Sequence, residues 1–504
     1  MHATSPLSET MLSVFAGALL LYLLAMYAIG YLAQRRIRNV EDFVLAGRRL
    51  PVSLATITII ATWFGAESLM TTADEVGNEG LRKAMLDPLG IALCLLLAGL
   101  FVAGPMWRMN LLTVPDFFFR RFGKRAEIVS SLILVPSYFG WVAAQFVALA
   151  QLLETFFGIP KEVGIGLVAL FGTGYTLLGG MWTITWTDAV QIGFILLGLL
   201  ILGWAVLVEL GSGQPLSGVD RLWNDTAEER WRIADPETFW RDTLTALSAL
   251  AIGALGNLPM QDLMQRIFSA GSDRIAAKAC LWASGGYLLM GVLPVGTGMA
   301  AHLLLPEATG ELEDVVMVVA SGLLSPLLLL VFFLAIVSAV LSTIVSAVLA
   351  PSAVMAHNLV EPLLRRQLGR KPSEQSLLLL QRASILAVAI ASAWLSYSGE
   401  GAYELVQGSY SMALVGLFVP FLVGLRTRRA PATAAILSMI FGIGLWSLHM
   451  LLGWEIFFEP WLEPRGVPLP HELAATVASG LGFVLGWGLA GSNPVEADPV
   501  ELGR

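Results

Sequence analysis

The chain has 504 residues, 56% hydrophobic and 13% charged, with a formal net charge of -8. This excludes an ordinary soluble domain, in which about a quarter of residues are charged, and an acidic chain without a basic stripe offers no nucleic-acid surface. Two cysteines inside apolar stretches, Cys94 and Cys280, and five scattered histidines, His2, His302, His357, His449 and His471, leave no spacing for a disulfide frame, a zinc site or a clustered catalytic set.

Apolar runs of about 20 residues, enough to cross a hydrocarbon core of about 30 Å, recur along the chain. They are centred near residues 22, 62, 95, 142, 173, 198, 252, 289, 336, 386, 414, 440 and 481. The expectation is an all-α polytopic membrane protein with thirteen transmembrane helices. The first run, Met11 to Leu32, is longer than a signal-peptide core, lacks an Ala-x-Ala site and follows Glu9 rather than a basic residue, so it reads as a retained span. The second is interrupted by a small and polar island, Ala61-Thr62-Trp63-Phe64-Gly65-Ala66-Glu67-Ser68. Glu67 is costly in lipid and should face a cavity, a polar partner or a helix end. Between spans 6 and 7, Ser212 to Glu237 carries Trp223, Trp231 and acidic residues, which suits a short interfacial helix. Span 7 contains Gly253-Ala254-Leu255-Gly256-Asn257-Leu258-Pro259, where the proline removes a donor and the glycines loosen the turn.

A helix in lipid must satisfy its own backbone, so a tolerated interruption marks a cavity or binding site. The bland alternative is close packing by small residues and a proline kink. Placement favours the first account: spans 2 and 7 are five apart, as in a five-plus-five inverted repeat. The chain then divides into an extra N-terminal helix (1–34), a transporter core of spans 2–11 (35–425), two extra C-terminal helices (426–491) and a short tail (492–504), with no appended soluble domain. Thirteen spans put Arg82, Lys83, Lys161, Arg221, Arg230, Arg232, Arg241 and Arg465 on one side and every other Lys and Arg on the other. By the positive-inside rule the N-terminus is outside and the C-terminus cytoplasmic, in a multi-pass cell (inner) membrane protein.

Several motifs in order resemble the sodium/solute symporter family: Asp42-Phe43-Val44-Leu45-Ala46-Gly47-Arg48, Tyr175-Thr176-Leu177-Leu178-Gly179-Gly180-Met181, Trp186-Thr187-Asp188-Ala189-Val190-Gln191, Gln265-Arg266-Ile267-Phe268-Ser269-Ala270 and Ala339-Val340-Leu341-Ser342-Thr343. The resemblance implies a LeuT-like scaffold that couples solute import to sodium entry. It also implies a sodium ion between the first break and span 9, held by the carbonyls of Ala61, Phe64 and Ala339 and the hydroxyls of Ser342 and Thr343. A hard cation takes such neutral oxygens readily; otherwise the two hydroxyls simply bond back one turn. Asp188 falls where the family has an aspartate on the sodium exit path, and an interfacial helix cap is its alternative. No cofactor is implied beyond sodium as the coupling ion.

The stretch from Ala61 to Gly80, with Gly99-Leu100-Phe101 and Gly104-Pro105-Met106, is most similar to the choline-transporter branch, which cages a quaternary ammonium with aromatic rings. Two cage positions persist as Trp63 and Trp141, and two carry Met260 and Gln407. With Ser68, these are the candidate solute contacts. The rings suit a choline-like cation, whereas Gln145 and Gln407 suit a zwitterion or polyol. The function expected is sodium-coupled symport of a small organic solute by alternating access. A transporter-like membrane sensor, or a symporter for an amino acid, sugar or carboxylate, is the alternative. No Gly-x-x-x-x-Gly-Lys-Ser/Thr run is present, so an ion gradient is the expected energy source.

Overall fold

The computed structural model describes residues 8–306, 312–370, 372–398, 401–427 and 430–490. The expected tail, 492–504, lies outside them, as do Lys371, Arg428 and Arg429 of the charge pattern. Among the described residues there are helices and two isolated bridges, Leu50 with Ala270 and Ile456 with Pro470, but no strand. Ten helices are long and apolar enough to cross a membrane, and twelve spans result if each of two bent pairs is one crossing. The expected thirteenth requires dividing the 50-residue helix Lys161–Leu210, which would be about 75 Å long if straight. It is not straight: Gly180 adopts φ 50°, ψ -141°. Residues on either side of it lie along the first helix, Phe171 accepting from Tyr27 Oη at 2.6 Å and Phe194 packing on Tyr22. Arg36 stacks over Trp182 and Trp186 just past the reversal.

Both expected interruptions are bends. Val52–Trp63 meets Glu67–Glu79 at 66°, and Phe239–Gly256 meets Gln261–Ser269 at 41°. At the first, Phe64 leaves helical geometry with φ -85°, ψ 71°. At the second, the glycines serve close approach rather than a loosened turn. A Cβ on Gly253 would lie 2.4 Å from the Leu86 carbonyl oxygen, and one on Gly256 2.6 Å from that of Tyr410. The most buried spans are Lys124–Phe157 and Pro326–Leu368, whereas Glu9–Arg36 and Ala432–Leu452 present most of their surface outward. The two central spans flank the breaks, and the added terminal helices sit on the rim.

Short helices complete the ends. The expected interfacial helix is two, Pro215–Asp225 and Glu228–Trp231; Arg230 of the second donates to the Gly77 carbonyl at 2.6 Å, capping the arm Glu67–Glu79. Val315–Leu323, too short to span, was hidden in the sequence as one more apolar run. Val114–Phe122 begins with a capping box of Thr113 and Asp116. Burial alone would raise the Asp116 carboxyl, but His357, the Thr113 N–H and Asn358 hold it down to about 2, so this helix is tied to the end of the span that carries Ser342 and Thr343.

The reversal at Gly180 provides a test. Gly180→Val combines a backbone conformation costing an L residue about 1–3 kcal/mol with a Cβ 2.2 Å from the Phe43 carbonyl oxygen. It is expected to lower the melting temperature of the detergent-solubilised protein by several degrees, while Gly193→Ala, with nothing within 4 Å, leaves it unchanged. Equal melting of both variants would mean that the chain does not reverse there.

Candidate functional site

The side chains that matter converge where the two bends face Lys124–Phe157 and Pro326–Leu368. Ser342 Oγ lies 2.8 Å from the carbonyl oxygens of both Ala61 and Ala339, and Thr343 Oγ1 donates to the Thr62 carbonyl at 2.9 Å. Serine and threonine in a helix ordinarily bond back to their own turn. Here both hydroxyls cross to the first break, Thr343 without a bond to its own helix. Four of the five candidate sodium ligands, Ala61, Ala339, Ser342 and Thr343, are therefore at one junction. Phe64, the fifth, ends the inner arm beside them.

Asp188 is fully buried and accepts a hydrogen bond from Thr58, so it is no interfacial cap. Its Oδ1 has no hydrogen-bond partner among the described residues. Thr62 Oγ1 connects this carboxylate's surroundings to the junction, bonding the Thr58 carbonyl at 2.6 Å and lying 3.2 Å from Ser346 Oγ. Arg266, also buried, donates to Ser346 Oγ at 2.5 Å and to the Asp262 carbonyl at 2.9 Å. The result is a polar seam running from Thr343 to Asp188 between the inner arm, the Pro326–Leu368 span and the second broken pair.

The solute candidates divide. Trp63, Ser68, Trp141 and Met260 are buried at the bends. Trp63 Nε1 donates to Asp262 Oδ2. Trp141 Nε1 donates to Glu67 Oε1 at 2.8 Å, and its ring lies 5.9 Å from those of Tyr138 and Tyr410. Ser68 Oγ donates to Asp87 Oδ2 at 2.6 Å beside Tyr287 Oη. Met260 heads the second arm, Gln261–Ser269. Gln407 instead turns its amide to Glu472 on the last helix, at 3.5 Å, a carboxylate that Ser248 of the arm Phe239–Gly256 also meets.

The space between these groups is small. A cavity of about 10 Å³, room for one water at most, is lined by Glu67, Thr71, Asp87, Lys83, Tyr403 and Tyr410 among others, and none of the five candidates lines it. Trp141 and Ser68 stand one hydrogen bond behind it, on Glu67 and Asp87. Lys83 closes one end, with Nζ 2.7 Å from Glu75 and 2.8 Å from Glu79 and its ammonium over the Tyr403 ring. A larger cavity, about 270 Å³, lies elsewhere, between Asn39, Glu41, His357, Arg365 and Gln381, and touches neither bend. The site is thus closed on itself, with the chemistry in the small space and not in the large one.

The residues missed from sequence are mostly charged or phenolic: Asp87, Asp262, Arg266, Tyr138, Tyr287 and Tyr410. A signal existed for the first three. An ionised side chain inside a span is costly enough to be a functional candidate wherever it occurs, and Asp262 with Arg266 sits one turn apart just after the second break. The tyrosines had none, because a tyrosine in a membrane helix is as ordinary at an interface as in a core.

A family model described as the sodium:solute symporter family matches residues 43–442. High affinity choline transporter 1 of Homo sapiens is 25% identical over 454 residues, 85% of this chain and 75% of that protein. The sodium/proline symporter of Escherichia coli (strain K12) is 24% identical over 458 residues, 87% and 88% of the two chains. Among solved structures, the substrate-bound outward-open state of a Na+-coupled sialic acid symporter aligns with a TM-score of 0.74 at 19% identity, covering 94% of this chain and 97% of that one. MhsT in complex with L-phenylalanine aligns at 0.52 and 16% identity, covering 86% and 98%. The fold is therefore the LeuT-like one expected.

The Lys83 closure can be tested chemically. In a Thr71→Cys background, where the native cysteines Cys94 and Cys280 are buried, Lys83→Met is expected to speed modification by a water-soluble thiol reagent severalfold. Identical rates with and without Lys83 would remove it as the closing group.

Proposed function

Because the chain belongs to the sodium:solute symporter family, we propose that its solute is a small molecule bearing a positively charged nitrogen, choline-like or zwitterionic. Family membership makes the protein a sodium-coupled membrane transporter of a small solute and not an enzyme. The observation that carries the finer reading is the charge at the bends. Glu67, Asp87 and Asp262 are buried among Trp63, Trp141, Tyr138, Tyr287 and Tyr410, and the one buried arginine among the described residues, Arg266, donates to the Asp262 backbone carbonyl. Carboxylates withdrawn from water cost several kcal/mol each unless a cation arrives, and ring faces attract a desolvated cation by about 0.5–2 kcal/mol apiece. A neutral sugar would satisfy neither demand. Choline and proline, the solutes for which two of the relatives are named, both carry such a nitrogen.

Sodium is assigned to Ala61, Phe64, Ala339, Ser342 and Thr343, with Asp188 on the exit path along the polar seam. Trp63, Ser68, Trp141 and Met260 bound the solute as the Lys83 end opens, and Glu67, Asp87, Tyr138, Tyr287 and Tyr410 join them. Gln407 enters only if that opening turns it from Glu472. The N-terminus is outside and the C-terminus cytoplasmic, which puts Lys83 on the outer side and Asp188 toward the inner one. The transporter core is 35–425, with 1–34 and 426–491 as rim helices. No cofactor is needed beyond sodium, since gradient energy suffices. One sodium ion entering through about 100 mV yields about 2.3 kcal/mol, and a roughly tenfold gradient adds about 1.4 kcal/mol. A neutral or zwitterionic solute is then accumulated at most several-hundredfold, and a net cation further.

In proteoliposomes, uptake of labelled choline or proline is expected to require an inward sodium gradient, to rise with an inside-negative potential and to need no ATP. Accumulation with sodium absent on both sides would overturn the coupling ion, and a panel in which only neutral sugars bind would overturn the charged nitrogen. Ser342→Ala with Thr343→Ala is expected to abolish sodium-stimulated uptake in a protein that still folds, because two of about five oxygens leave the ion. Wild-type sodium dependence in that double variant would move the ion elsewhere.

A further inference from the structure

Gly65, in the first bend, sits where oxygens from three segments meet. A Cβ there would lie 2.6 Å from Thr343 Oγ1, 2.8 Å from Gln145 Oε1 and 2.8 Å from Glu67 Oε2. Glu67 and the Thr343 hydroxyl are therefore separated by no more than the first and last of those distances added together. The carboxylate is 5% exposed and fixed from two sides, with Oε1 receiving Trp141 Nε1–H at 2.8 Å and Oε2 receiving Gln145 Nε2–H at 2.5 Å. Gln145 is itself anchored, its Oε1 accepting from the Ala66 N–H at 3.0 Å. The ligands assigned to sodium are carbonyls and hydroxyls, all neutral, so none of them balances the ion's charge where water is excluded.

Resting on the sodium site proposed above, we infer that Glu67 supplies the counter-charge for that sodium ion, acting from just outside its ligand shell. The carboxylate and the Thr343 hydroxyl both border the space that a Gly65 Cβ would fill, with Gln145 Oε1 the third oxygen there. Trp141 and Gln145 hold the carboxylate there, between the proposed ion and the solute space whose lining it shares with Asp87 and Tyr410. A fixed charge of this kind lets sodium bind before the solute arrives, because the attraction exists in the solute-free protein. Two opposite charges about 7 Å apart at an effective dielectric of about 20 give roughly a ten- to hundredfold effect on an equilibrium constant. Gly65 is necessary to the arrangement, since any Cβ would displace all three oxygens.

The experiment is a sodium titration of the purified protein without solute, read as thermal stabilisation, alongside the sodium dependence of uptake. Glu67→Gln is expected to raise the half-saturating sodium concentration, read without solute, about ten- to a hundredfold. Glu67→Asp keeps the charge and is expected to stay within about fivefold of wild type. Gln145→Met removes the clamp and keeps the charge, so it should shift sodium binding much less than Glu67→Gln. If Gln145→Met weakens sodium as much as Glu67→Gln, or Glu67→Asp does, the role is structural and the inference fails. Unchanged sodium binding in Glu67→Gln, with loss of binding in Ser342→Ala/Thr343→Ala, would also sink it while leaving the site in place. Wild-type binding in that double variant would overturn the site itself. Should Glu67→Gln not fold, Glu67→Ala, which also removes the charge, is titrated in its place and held to the same outcomes.

Discussion

The backbone of an interrupted helix in a membrane has to find partners, and this molecule is arranged around that requirement. At the first bend the carbonyls of Ala61 and Thr62 are met by Ser342 and Thr343 from one neighbouring span, and the Ala66 N–H by Gln145 from another. These bonds are local in chemistry and long-range in sequence, joining segments some 80 to 280 positions apart. The second bend relies on glycines that let it touch the backbones of its neighbours. The two most buried spans are the ones that supply these partners, so the fold's centre and its site are the same place.

Charge is the second constraint. Lipid and packed helices are poor hosts for ionised groups, yet Glu67, Asp87, Asp188, Asp262 and Arg266 all lie within the core. Each is held by donors or acceptors on a different element: tryptophan N–H groups, tyrosine and threonine hydroxyls, a glutamine amide and backbone carbonyls. Such networks are high-stakes, because a single unpaired member is expensive in low dielectric. This acidic excess is the feature on which the proposed binding of sodium and of a charged nitrogen rests. The closed cavity and the Lys83 ion pairs show how the same groups are kept from water between visits.

Much of this was legible in the linear chain. Apolar run length announced the spans, the Ala61–Ser68 island and the Gly253–Pro259 stretch announced both bends, and adjacent hydroxyls at Ser342 and Thr343 marked the span that meets the first bend once a family resemblance singled them out. Those features are local: periodicity, composition and turn chemistry act within a few residues. The reversal at Gly180 was visible as two apolar runs, although helix length by itself merges them.

Other features depended on which helix faces which. Gln407 has the right residue type for a solute contact but is turned to Glu472 by the packing of the last helix. For Asp188 the sequence left an exit-path carboxylate and an interfacial cap open, and packing buries it against Thr58. Tyr138, Tyr287 and Tyr410 carry no mark in the sequence, since hydropathy cannot tell a core phenol from an interfacial one. The sequence by itself determined the class and the two places where helices had to break, because a bilayer constrains every residue along the chain independently. Only the tertiary structure decided which side chains meet at those breaks, because a hydrogen bond between distant spans is set by rotation and depth, and neither is written in any single segment.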